Sequence, residues 1–143
     1  MADFANQVRA FAKKANMSID KTVRGTAIKL FSAVIKSSPV DSGRFRANWE
    51  ASGKTPVTTY NTNTDKSGDS AISAMTQFIA SNPGNEFTLS NNLPYAWKLE
   101  YGGYPGDGPS TVGGYSKQAP SGCVRVNVAR FDAILEEMAR ANR

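Results

Sequence analysis

The chain has 143 residues, 40% of them apolar, with 17 Lys and Arg against 12 Asp and Glu for a net charge of +5. That length holds one domain (1–143) with a modest core, and no stretch approaches a membrane span or has the apolar core and cleavage site of a signal peptide, so a soluble, unexported chain is expected. No histidine is present, which removes the commonest general base and any Ser-His or Cys-His nucleophile pair, and a single cysteine, Cys123, excludes an internal disulfide and a conventional zinc site.

From Ala2 to Ser37 the apolar residues Phe4, Val8, Phe11, Ala15, Ile19, Val23, Ala27, Leu30 and Val34 recur every three or four positions, the spacing of a buried helical stripe. One long helix is expected, in preference to two divided near Asn16 to Ser18 with Ser18 as the N-cap. At about 100° per residue, Lys14, Lys21, Lys29 and Lys36 form a row away from that stripe. Charge is uneven along the chain: residues 1–54 hold ten cations against four anions, residues 55–143 seven against eight. The row is therefore a candidate DNA-facing surface, and an ordinary solvated face is the alternative.

Pro39 ends the helix near Ser37. In Pro39-Val40-Asp41-Ser42-Gly43-Arg44-Phe45-Arg46, Asp41 can bond to backbone two residues on and Gly43 can take positive φ, so a turn is expected before a strand over Ala47–Ser52. The seventeen residues from Gly53 to Asp69 offer only Val57 and Tyr60 as sizeable apolar groups. They predict an arm that is mobile or ordered by a neighbouring subunit. Asp69 or Ser70 is the expected cap of a helix reaching Ser81, with Ala71, Ile72, Met75, Phe78 and Ile79 on its apolar face.

Residues Glu86–Asn91 alternate with Phe87 and Leu89 inward, the pattern of a half-buried strand that should pair with the strand near Trp49. Tyr95, Trp97, Leu99 and Tyr101 alternate as a strand would, but a short helix begun by Pro94 over Pro94–Glu100 is the preferred reading, and this density of aromatics suits either core or an interface. Residues 102–122 hold seven Gly and three Pro, the composition of a long open loop with a docking or lining role. Beyond Gly122, helical spacing of Val124, Val128, Phe131, Leu135 and Met138 predicts a C-terminal helix, although Val124, Val126 and Val128 also alternate as a strand would.

No Gly-x-x-x-x-Gly-Lys loop and no Gly-x-Gly-x-x-Gly before a helix is present, and Asp41, Glu50, Glu86 and Glu100 each sit in a turn or strand context that explains them without catalysis. Neither an enzyme nor a cofactor is expected. Together the elements read as an α+β fold: a long N-terminal helix and a C-terminal helix packed on a small antiparallel sheet, with two extended loops near 53–69 and 102–122.

The order of these motifs resembles the phage neck and tail-completion proteins, the minor tail protein Z-like family. It rests on the Pro-Val-Asp-Ser-Gly-Arg turn, then Leu89-Ser90-Asn91-Asn92-Leu93-Pro94-Tyr95-Ala96 running to Leu99-Glu100-Tyr101-Gly102, then Gln118-Ala119-Pro120 and the closing helix, with only Gly53–Ser81 unmatched. The resemblance implies a structural virion protein, made in the host cytoplasm, whose copies form a ring at the head-to-tail junction. Such a ring would touch portal, adaptor, tail terminator or tail tube proteins and pass viral DNA without reading its sequence. It implies protomer-interface or turn roles for Asp41, Gly43, Arg44, Arg46, Tyr95, Trp97, Glu100, Tyr101, Tyr104 and Pro120. The rival reading is a non-specific nucleic-acid-binding module supported by the basic N-terminal third.

Overall fold

The computed structural model describes residues 2–142. Its order is α1 (Ala2–Ser37), α2 (Arg44–Ala47), β1 (Glu50–Ser52), α3 (Asp69–Ser81), β2 (Thr88–Ser90), α4 (Ala96–Tyr101), β3 (Thr111–Val112), β4 (Tyr115–Ser116), α5 (Val124–Val128) and α6 (Phe131–Ala141). The fold is mixed α and β, with a long first helix, a helix at the C-terminus and two small antiparallel two-stranded sheets, β1–β2 and β3–β4.

The expected pairing across the middle of the chain is present: Glu50 lies opposite Ser90, Ala51 opposite Leu89 and Ser52 opposite Thr88. Ala51, Phe87 and Leu89 turn toward a core made by Val34 and Ile35 of α1, Phe45, Trp49, Ala71, Met75 and Ile79 of α3, Leu93, Leu99 and Cys123. The predicted face of α3 is thus the buried one, and α4 begins just after Pro94 as anticipated.

Four local expectations are corrected. The segment expected as a strand from Ala47 opens instead with the single turn α2, because Gly43 takes φ 90° and its carbonyl accepts the Ala47 N–H at 3.0 Å. That turn brings Phe45 and Trp49 together edge-to-face, with centroids 5.5 Å apart. Helix α3 is preceded by Gly68, not capped by Asp69 or Ser70; the Asp65 carboxylate accepts the Ser70 N–H at 2.7 Å and the Ser67 hydroxyl at 2.9 Å, satisfying the N-terminal donors from outside the helix. The C-terminal helix is broken at Ala129–Arg130 into α5 and α6. At the break, buried Asn127 donates to the Cys123 carbonyl at 2.6 Å and to the Ser37 hydroxyl at 3.1 Å, which ties α5 to the end of α1.

The fourth correction concerns burial along α1. Its core-facing residues are Ala27, Ile28, Phe31, Val34 and Ile35, all in the second half. Here α3 packs on one side, where Arg24 donates to the carbonyls of Ile79 and Gly84, the latter at 3.0 Å. On another side lies α6, antiparallel to α1: Ser18 donates to the Asn142 carbonyl, a Cβ on Gly25 would stand 2.9 Å from the Met138 sulfur, and Lys29 pairs with Glu137. Among the described residues none packs against the first four turns of α1, which lie beyond the Ser18–Asn142 contact. Phe4, Val8, Phe11 and Ile19, expected in a buried stripe, stand in solvent, with Phe4 70% and Phe11 75% exposed.

Both long loops make bonds within their own chain, the first of them having been expected to be mobile or ordered by a neighbouring subunit. Asn92 donates to the Val57 carbonyl at 2.7 Å, Asn48 and Asn61 exchange two bonds at 2.8 and 3.2 Å, and Arg46 donates to the Lys66 carbonyl at 3.0 Å. The 102–122 segment folds back as the β3–β4 hairpin, whose Gly114 carbonyl accepts from Gly103 and Tyr104 at 3.0 and 3.1 Å.

Candidate functional site

The two motifs that are distant in sequence meet across one cleft of about 510 Å³. One wall is the turn Pro39–Phe45, the floor is Tyr95 and Leu99, and the far wall comes from Tyr104, Ser110, Thr111, Ser116 and Gln118. Gln118 closes the joint by using its amide as a strand edge would: it accepts the Val40 N–H at 2.8 Å and donates to the Val40 carbonyl at 2.7 Å.

Below the cleft the turn is held by donors aimed at carbonyls. Buried Ser38 donates to the Val34 carbonyl and accepts the Trp49 indole N–H, both at 2.8 Å. Arg46 donates to the carbonyls of Lys36, Ser38 and Lys66 at 2.7, 3.0 and 3.0 Å, satisfying orphan acceptors at the C-terminal end of α1 where a cation is also favoured by the helix dipole. Gly43 is demanded twice over: its φ is positive, and an added Cβ would stand 2.6 Å from the backbone of Asp65 and Lys66.

Arg44 faces outward. Its Nε donates to the Asn61 carbonyl at 3.2 Å and its guanidinium lies 5.7 Å from the Tyr60 ring centre, which leaves its charge at the cleft mouth. Asp41 is exposed and, among the described residues, has no ion pair. Burial pushes the Tyr95 phenol upward from its ordinary pKa, with the Arg44 charge opposing that shift, so the phenol stays protonated at neutral pH. The cleft therefore offers one carboxylate, one guanidinium, two phenols and several hydroxyls, a set suited to holding a polar extended segment.

A second cluster lies on the other side of α4. The Glu100 carboxylate is buried and accepts the N–H groups of Cys123, Val124 and Arg125 at 3.1, 2.7 and 3.1 Å, the first donors of α5. Gly122 makes this approach feasible, since its φ is 84° and a Cβ there would lie 2.5 Å from a Glu100 oxygen. Arg125 in turn stacks 4.6 Å from the Tyr101 ring centre, and Tyr101 packs on Trp97 at 4.1 Å. Trp97 is 69% and Tyr101 47% exposed. Beneath them Cys123 is buried, its thiol pushed up to about 11 by desolvation, and is no nucleophile at neutral pH.

Of the residues singled out in the sequence, Asp41, Gly43, Arg44, Tyr95 and Tyr104 line the cleft. Trp97 and Tyr101 form an outer patch, Pro120 lies exposed in the turn before α5, and Arg46 and Glu100 bond to backbone groups of their own chain. Lys14, Lys21 and Lys36 are exposed, whereas Lys29 is paired with Glu137, so the row is not continuous. Asn48, Asn92 and Arg125 escaped the sequence reading; the signal available was only that amides and guanidinium groups near glycine-rich turns seek backbone partners.

Among the described residues no group of three His, Cys, Asp or Glu side chains is placed to hold a metal ion, and no helix is long and apolar enough to cross a membrane. No family model matches the chain, and no curated protein or solved structure is significantly similar to it.

Proposed function

We propose that this chain is a structural protein of a tailed-phage virion, built into a ring at the head-to-tail junction as a neck or tail-completion component. The observation that carries the reading is its uncovered apolar surface. Phe4, Val8, Phe11 and Ile19 on α1 and the Trp97–Tyr101 pair on α4 remain in water in the isolated chain. Full burial of an exposed Phe or Ile side chain contributes roughly 1.5–3 kcal/mol, so a partner that covers this surface gains a favourable term to set against the cost of association. The kind of assembly is taken from the resemblance of the motif order to that of neck proteins, and the meeting of the Pro39–Phe45 turn with Tyr95 and Leu99 at a single cleft is consistent with treating those motifs as one unit.

In this reading the protomers contact one another through apolar and aromatic anchors, and the ring adjoins portal, adaptor, terminator or tube proteins. Lys14, Lys21 and Lys36 offer sequence-independent attraction to DNA in the bore. Three spaced lysines neutralise few phosphates, so tight binding of DNA by a lone chain, which the rival reading requires, is not expected. Negative-stain imaging of the purified chain, beside particles made without it, tests the proposal. Rings in the first and separated heads and tails in the second are the expected results; a monomeric chain and intact infectious particles would overturn it.

A further inference from the structure

Besides the Trp97–Tyr101 pair on α4, two further apolar surfaces are left uncovered on the helices, and they differ in charge. The first is the free part of α1, with Phe4, Val8 and Phe11 spaced i, i+4, i+7; within residues 3–17 the hydrogen bond given by side chains is the local one from Arg9 to Asn6. This arm carries Arg9, Lys13 and Lys14 against Asp3. The second is the outer edge of α5 and α6, where Val128, Phe131 and Leu135 are 50%, 41% and 37% exposed. From Val128 to Arg140 this edge carries Asp132, Glu136 and Glu137 against Arg130 and Arg140, with Glu136 paired to Arg140 and Glu137 to Lys29, so Asp132 is the carboxylate without an ion pair among the described residues.

We infer that the arm of one copy docks on the α5–α6 edge of the next copy. The inference rests on the assembly reading above and names the surfaces it uses. Three arguments select this pairing over arm against arm. Charge is the first: two arms together would oppose two surfaces of net positive charge, whereas arm and edge set the basic arm against a surface of net charge −1 on which Asp132 has no ion pair among the described residues. Reach is the second, since Phe4 and Phe11 stand about 10.5 Å apart along α1, room enough for the rings to reach the exposed Phe131 and Leu135 one turn apart on α6. The third is continuity. Helix α6 already packs against α1 of its own chain through Ile134 and Met138, and the neighbour's arm would extend that packing onto the adjoining edge. The contact joins two different patches, so it is heterologous and propagates head to tail until it closes as a ring.

Sedimentation velocity on the full-length chain tests this by complementation. Phe11→Asp spoils the arm and spares the edge; Phe131→Asp spoils the edge and spares the arm. Each alone should weaken self-association roughly thirtyfold or more, as loss of a buried aromatic anchor does, and stay monomeric where the wild type assembles. Mixed, they should form a dimer and stop there, because only one intact arm–edge contact can be made. Far-ultraviolet circular dichroism checks that each variant is folded, and if Phe131→Asp is not, Val128→Asp at its half-exposed position carries the same test. Assembly of Phe131→Asp like the wild type, or absence of a mixed dimer, would overturn the arm–edge contact while leaving the ring intact. A wild type that never self-associates would overturn the ring reading itself.

Discussion

Residues 53–69 and the first four turns of α1 are opposites in composition and in what holds them. The loop has almost no apolar surface, yet the body grips it at Val57, Asn61, Asp65 and Lys66 through Asn92, Asn48, Gly43 and Arg46. The arm has a full apolar stripe and, among the described residues, no side-chain bond beyond its own helix until Ser18. The difference teaches that order within a chain follows the availability of partners. A polar segment is fixed when the body presents amide and guanidinium groups at its carbonyls; an apolar helix stays bare where no other element packs along it.

The largest effect should come from breaking the loop's tightest contact. Gly43→Val forces a β-branched residue to positive φ and drives its Cβ into the Asp65–Lys66 backbone, a loss on the order of 3 kcal/mol or more in thermal or denaturant unfolding. Next is Asn48→Ala, which leaves the Asn61 N–H and carbonyl without their buried partner and should cost about 1–3 kcal/mol, with new protease sensitivity between Val57 and Lys66.

A smaller effect is expected at Asp65. Its bonds from Ser70 and Ser67 hold its carboxyl below the ordinary carboxylate value of 3.8, so the stability it adds is present above that value and is lost as pH falls through the lowered one. Asp65→Asn should therefore flatten the acid limb of the stability profile, and an unchanged limb would remove Asp65 from the account. The smallest effect on the monomer belongs to the arm: Phe4→Asp with Phe11→Asp should shift its stability by no more than about 0.5 kcal/mol, since both rings already stand in water. A large loss of monomer stability would mean that the arm is part of the core.

These regions also show what could be read from residue order. Period and punctuation located α1, α3, the β1–β2 pairing and α4, because each depends on local spacing of apolar residues around Pro39, Pro83 and Pro94. Whether an apolar stripe is covered is a tertiary fact, set for α1 by which elements pack along it. The tie of α5 to α1 and the grip on the loop rest on single polar side chains, Asn127 and Asn48, whose partners Ser37 and Asn61 lie 90 and 13 residues away. Likewise the cleft's residues were legible as two motifs, but their meeting through Gln118 and Val40 was not.

Hydrogen exchange of the backbone amides in residues 3–17, compared between the dilute monomer and the assembled state, tests the central claim that this arm awaits a partner. In the monomer these amides should exchange rapidly, far faster than those of residues 27–35, which lie against the core. On assembly they should slow by at least tenfold while the core amides barely change. Slow exchange of the arm in the dilute monomer, or fast exchange that persists in the assembly, would contradict the account.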